Sequence, residues 1–265
     1  MESWRTGITT SEGGEIYVYG HDVASLMVQA TFTDTIFLLH RGRLPEAAER
    51  RLFDAMLISI ADHGPGAPSG AASRIVASAN RNAPEAAVAA GILAIGDAHA
   101  GAGLACFELI EHALERARVD GLGVTETAAL VARETRDAGR RLPGLGHRYF
   151  KEDPRTVVLF RLARELGVAG EGVGFLTLLE SAAAAAIKPL PINVDGALAA
   201  LLYDMRFTAP MAKFMFMIGR VAGLTAQVGE EYARERPMRI RIPVVYDGPP
   251  PLTKPAAPGG RRDVT

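Results

Sequence analysis

The chain has 265 residues, 48% of them hydrophobic, which is enough for one large domain or two small ones with a sizeable core. Its 29 Lys and Arg against 30 Asp and Glu leave no global basic face, which argues against nucleic-acid binding. The single cysteine, Cys106, excludes a disulfide framework and a cysteine-cluster metal site, and no uncharged run approaches the ~20 residues a membrane helix needs.

Alanine dominates the apolar residues, aromatics are 6%, and β-branched runs are scarce, so helix is the default prediction. In chain order, 15–19 reads as a short extended segment, followed by helices over 22–29 and 35–40. Leu52, Phe53, Met56, Leu57 and Ile60 fall on one helical face, in a helix with Pro45 placed in its first turn. Further helices are predicted over 69–80, 85–96, 103–118, 125–139, 155–166, 171–186, 194–203 and 210–232. A second extended segment is expected over 240–246, where Pro243 would confine it to an edge. No repeat of 20–50 residues stands out, so a solenoid is not expected. The prediction is a mainly α-helical module over 1–247, with a smaller helical part around 105–205. A flexible Pro/Gly-rich tail follows over 248–265. The opening residues Met1 to Arg5 lack the apolar core of a signal peptide, so the expected location is cytoplasmic, with no membrane partner.

Glycine and proline mark the loops, and three of the six histidines sit in or beside them: His63, His99 and His147. Each alone reads most simply as a turn residue. Together with their neighbours they form a more specific pattern. Gly144-Leu145-Gly146-His147-Arg148-Tyr149 followed by Asp153-Pro154-Arg155 resembles the catalytic-loop signature of the citrate synthase superfamily. Ile192-Asn193-Val194-Asp195-Gly196 resembles its second signature. Ala61-Asp62-His63-Gly64, Gly96-Asp97-Ala98-His99-Ala100-Gly101-Ala102 and Ile218-Gly219-Arg220-Val221-Ala222-Gly223 resemble its substrate-binding, first-histidine and arginine-helix segments, in the family order. Looser matches at Tyr19-Gly20-His21-Asp22 and in the turn from Leu39 to Pro45 extend the resemblance over nearly the whole chain.

The resemblance implies a citrate synthase-like helical fold and reversible carbon–carbon chemistry between an acyl-CoA methyl group and an oxo-diacid. It implies Asp195 as the base, His99 as the donor to the enol oxygen and His147 as the donor to the electrophilic carbonyl. Arg155 and Arg220 would bind carboxylates beside His63, a use suited to the planar guanidinium fork. Gly144, Leu145, Gly146 and Arg148 would contact coenzyme A. An arginine delivered across a dimer interface would be Arg241, by its distance from Tyr246, or Arg236, by its Arg-Pro neighbour; both stay open. Read without the resemblance, Asp195 or Asn193 could simply cap a helix, and Arg220 could be a helix arginine with its head in water. Cys106 reads as a small core residue with no base beside it.

Departures from the family pattern narrow the reading. Full citrate synthases are longer and read H-G-G-A-N where this chain has His99-Ala100-Gly101-Ala102-Gly103. The Gly-Asp-Ala-His opening, the Asp-His-Gly-Pro segment and the Arg236-Pro237-Met238 to Pro249 ending look closer to citryl-CoA lyases and the corresponding module of ATP-citrate lyase. The expected activity is therefore citryl-CoA cleavage to acetyl-CoA and oxaloacetate by a homodimer or higher homo-oligomer. No tightly bound cofactor or metal is expected, and the coenzyme A thioester enters as substrate. Activation of citrate would come from a separate citryl-CoA synthetase. Citrate or 2-methylcitrate synthesis is the alternative, and a non-catalytic paralogue binding an acyl-CoA or a partner is the second.

Overall fold

The computed structural model describes residues 3–147 and 151–250. Arg148 and the tail from 251 onward lie outside them. The chain opens with an antiparallel sheet of β1 (Thr9–Glu12), β2 (Glu15–Val18) and β3 (His21–Asp22) in the order β1-β2-β3. Thr9 pairs with Val18 and Glu12 with Glu15, so β1 and β2 close a hairpin through Gly13-Gly14. Sequence reading placed β2 but not its two partners, although a Gly-Gly pair between extended segments is a hairpin signal.

Eleven helices follow among the described residues: α1 (Val23–Gln29), α2 (Phe32–Arg41), α3 (Ala47–Ile60), α4 (Pro68–Ala79), α5 (Pro84–Leu93), α6 (Ala102–Asp120), α7 (Val124–Asp137), α8 (Pro154–Glu165), α9 (Glu171–Ala186), α10 (Val194–Asp204) and α11 (Pro210–Arg234). Each corresponds to a predicted helix. Pro45 does not sit in the first turn of α3; Glu46 is the N-cap, and its carboxylate and that of Glu49 close a capping box. The extended segment expected over 240–246 forms no strand. Chain after α11 is instead anchored by side chains. Arg239 donates to the fully buried Glu231 carboxylate at 2.9 and 2.5 Å, and Met238 N–H donates to the Ser78 carbonyl at 2.9 Å.

The core explains why helix α10 is almost free of polar residues. Val194, Gly196 and every residue from Ala197 to Leu202 are buried, so this helix is enclosed on all sides. Helices α6, α8, α9 and α11 pack around it. Because α10 is central, its N-terminus and Asp195 open inside the molecule rather than on its surface. Among the described residues no helix is long and apolar enough to cross a membrane.

Candidate active site

Three groups of loops and helix ends surround the N-terminus of α10. The first holds Asp195 and His147 together. Asn193 caps α10 by accepting from Gly196 N–H at 3.1 Å, and its side-chain amide donates to the Gly146 carbonyl at 2.9 Å. Gly146 N–H donates to the Pro191 carbonyl at 2.7 Å, and Asn193 N–H to the Gly144 carbonyl at 3.0 Å. The loop bearing His147 is thus laced to the start of α10. Gly144 has φ +78°, and a Cβ there would lie 2.5 Å from the buried Cys106 Sγ and 2.8 Å from Gly196 Cα. A side chain at this position would push the loop off the helix. Asn193 therefore does the capping, and Asp195, in the first turn, is released from that role.

The second group holds His99 and Arg220. Gly96 and His99 exchange backbone hydrogen bonds at 2.9 and 3.0 Å, a tight turn that presents the imidazole. Arg220 is 2% exposed on α11. Its Nε donates to the Ile60 carbonyl and its Nη1 to Ser69 Oγ, both at 3.0 Å, and its guanidinium lies 4.8 Å from the Phe216 ring centroid. Ser69 Oγ is also 3.1 Å from His99 Nε2. Since arginine can only donate, the serine hydroxyl accepts from Arg220 and has its own proton to give to Nε2. That arrangement accommodates the tautomer with a proton on Nδ1. Nothing in the sequence singled out Ser69; its role follows only from the way α4 meets α11.

The third group is the α3–α4 loop with His63. Gly223 N–H donates to the Ala61 carbonyl at 3.0 Å, and a Cβ on Gly223 would come within 2.1 Å of that oxygen, so α11 and this loop meet at backbone distance. Asp62 accepts from Gly64 N–H at 3.0 Å and from Gln227 Nε2 at 3.2 and 3.3 Å, fixing the turn that carries His63.

Electrostatics tie the groups into one site. Burial raises the Asp195 carboxyl to about 6; the Asp153 charge adds to this, while Arg155 and Arg220 oppose it. His63 is held below the ordinary imidazole value by burial and then by Arg155, Arg220 and His147; His99 is lowered by burial, Arg220 and His63. Both imidazoles are therefore neutral donors at pH 7. Burial pushes the Cys106 thiol far up, so it is inert packing under Asp195. Among the described residues no group of His, Cys, Asp or Glu is placed to hold a metal ion.

The structure thus brings His63, His99, His147, Arg155, Asp195 and Arg220 into one electrostatic neighbourhood. Gly144 and Leu145 are buried in the loop, whereas Gly146 is half-buried; Arg148 lies outside the described residues. Arg236 and Arg241 are exposed beyond α11.

Comparison with known proteins gives the same outline. The family described as "Citrate synthase, C-terminal domain" matches residues 46–241. The chain belongs to the citrate synthase family. Among solved structures, citryl-CoA lyase from Hydrogenobacter thermophilus is 37% identical with a TM-score of 0.87, over 96% of this chain and 98% of that one. An ATP citrate lyase from Methanosaeta concilii shares the fold at TM-score 0.74 and 20% identity, over 94% of this chain and 42% of the larger one. Among curated sequences, "Putative citrate synthase 2" of Mycobacterium tuberculosis is 30% identical over 229 residues, 83% of this chain and 57% of that protein. The chain spans little more than half the length of such citrate synthase relatives.

Proposed function

We propose that this citrate synthase family member cleaves citryl-CoA to acetyl-CoA and oxaloacetate. The observation that carries the chemistry is a carboxyl group raised to about 6 at one helix end, within reach of Arg155 and Arg220, with Arg220 also acting on the neutral imidazoles of His63 and His99. Cleavage is preferred over synthesis because the Hydrogenobacter citryl-CoA lyase is 37% identical with a TM-score of 0.87, against 30% identity for the Mycobacterium tuberculosis citrate synthase relative.

In this reading Arg155 and Arg220 hold substrate carboxylates, and His63 adds a donor. His147 accepts the proton of the tertiary hydroxyl. Its O–H electrons form the new carbonyl of oxaloacetate as the carbon–carbon bond breaks. The released pair becomes the enolate of acetyl-CoA, whose oxygen is held by His99 Nδ1–H. Asp195, protonated near its midpoint, delivers a proton to the enolate carbon and completes the methyl group. Reversal exchanges the roles, with Asp195 as the base.

Helix α5 supports assembly into a dimer. It is apolar around its circumference, yet Leu93 is 84% exposed, and a second copy would cover that face. Synthesis of citrate or 2-methylcitrate is the second reading, favoured by the curated citrate synthase relatives. The protein should be incubated separately with citryl-CoA and with acetyl-CoA plus oxaloacetate, with products read by mass spectrometry. Acetyl-CoA from the first with little citrate from the second is expected. Abundant free citrate from the second would move the assignment to a synthase.

A further inference from the structure

Asp153 belongs to the Asp-Pro-Arg block but has no assigned role, and its surroundings are unlike those of an ordinary helix cap. Its side chain is 0% exposed and makes four contacts. Oδ1 accepts from Arg155 N–H and Arg155 Nε, both at 3.0 Å; Oδ2 accepts from Arg155 Nη2 at 2.8 Å and from Val194 N–H at 3.2 Å. One carboxylate thereby caps α8, grips a guanidinium along its edge and receives the first N–H of α10. Val194 directly precedes Asp195.

We propose that Asp153 is the positioning residue of the site, setting the carboxylate-binding Arg155 and the proton-carrying Asp195 in fixed relation through one buried carboxylate. This rests on the function proposed above. Its chemistry follows from the contacts. Arg155 spends its Nε–H and one Nη2–H on Asp153, so Nη1 and the outer Nη2 proton stay turned to the half-open side, where its side chain is 24% exposed. A fork held by its inner edge presents its outer edge without searching for a rotamer. The like charge of Asp153 also opposes that of Arg155 at Asp195, which favours the protonated acid.

Other groups around Asp195 leave this arrangement distinct. From α11 it faces Arg220, which opposes protonation; from α6 it faces Cys106, a thiol kept neutral. On α9, Glu180 accepts from Ile192 N–H at 2.8 Å, and the His147 loop adds its influence at Asp153. Asp153 is the acidic group in this set that raises Asp195.

Asp153→Asn separates positioning from capping, because asparagine caps helices as well as aspartate. The amide would set an N–H donor against either Arg155 or Val194 N–H, and the charge is gone. Asp195 should be titrated by carbon NMR on protein labelled at aspartate carboxyls, with Asp195→Asn assigning the signal. Oxaloacetate and coenzyme A binding should be measured by calorimetry on the same samples. A fall of the Asp195 midpoint by about half a unit or more is expected. Oxaloacetate affinity should drop roughly tenfold or more, with coenzyme A spared. An unchanged midpoint with unchanged oxaloacetate affinity would reduce Asp153 to a cap and overturn the proposal. Should Asp153→Asn not fold, Arg155→Lys keeps the cap, the Val194 contact and the positive charge while removing the fork; oxaloacetate affinity equal to wild type would then overturn it. The midpoint is read without turnover, so a protein inactive on citryl-CoA would sink the proposed function while leaving this test intact.

Discussion

Replacing Asp195 by asparagine should make the protein more stable and far less active. A carboxyl with a value of 3.8 in the unfolded chain and about 6 in the folded one is harder to ionise after folding. Below pH 3.8 it is protonated in both states and costs nothing; between 3.8 and 6 the folded state holds the extra proton, and stability falls as pH rises through that window. Above it the penalty is complete, about 3 kcal/mol at 1.36 kcal/mol per unit. Asparagine removes that penalty but also removes a negative charge from the first turn of α10, which costs about 0.3–1 kcal/mol. The net gain is about 2 kcal/mol at pH 8, or roughly 4 °C in melting temperature for a chain of this length. Asn193 supplies the cap, so the helix end survives. Thermal melts at pH 4 and pH 8, at equal protein concentration, should show the gap only at the higher pH. Turnover should fall by about 10²–10⁴, the reach of a general acid–base group. A variant that melts at or below wild type at pH 8 would show that the carboxylate is not penalised by its surroundings. A gap that persists at pH 4 would assign the gain to packing.

Cleavage takes up and releases no net proton, so kcat/KM for cleavage and for condensation should share one pH profile, with a break near pH 6 where Asp195 titrates. Asp195→Asn should abolish that break, and a break that persists in the variant would remove Asp195 from the proton transfer. Arg220→Ala should weaken oxaloacetate binding by roughly tenfold or more while sparing acetyl-CoA, as calorimetry with each ligand would show; equal losses would mean that its bonds to Ile60 and Ser69 are purely structural. Gly144→Ala should cost about 3 kcal/mol or more in urea denaturation, because it combines a φ of +78° with a 2.5 Å approach to Cys106 Sγ. Gly121→Ala, at φ +67° but in open space, should cost only about 1 kcal/mol, and equal losses would dismiss the packing argument. Leu93→Asp should shift sedimentation from dimer to monomer; a dimer that persists would place the interface elsewhere.

The helices were legible because their signals are local: Ala-Leu periodicity within them and glycine or proline between them. β1 is short and exposed and β3 is only two polar residues long, so neither carries the apolar alternation that marks a half-buried strand. The segment over 240–246 has strand composition, but among the described residues no neighbouring strand supplies its hydrogen bonds. Composition records what a segment can do; pairing depends on what lies beside it. The site divides along the same line. His63, His99, His147, Arg155, Asp195 and Arg220 stood out through short motifs, since glycine and proline mark the turns that present them. Ser69 did not, and Asp153 stood in its motif without a role, because their importance lies in bonds to residues that only the fold brings near.

That division bears on how the site tolerates its own cost. A carboxyl raised to about 6 and an arginine only 2% exposed are each unfavourable in isolation. Arg220 is tolerated because it bonds a backbone carbonyl and a hydroxyl and lies over an aromatic face, so its desolvation is offset with no carboxylate in direct ion pairing among the described residues. Its charge therefore stays available to an incoming anion. Asp195 has the converse arrangement. Its neighbours Asn193 and Asp153 absorb the capping and pairing that would otherwise hold it ionised, and it is left able to take up or release a proton. Both functional charges depend on neighbours that do the structural bonding. Substitutions in that supporting layer should therefore change affinity and titration before they change the fold.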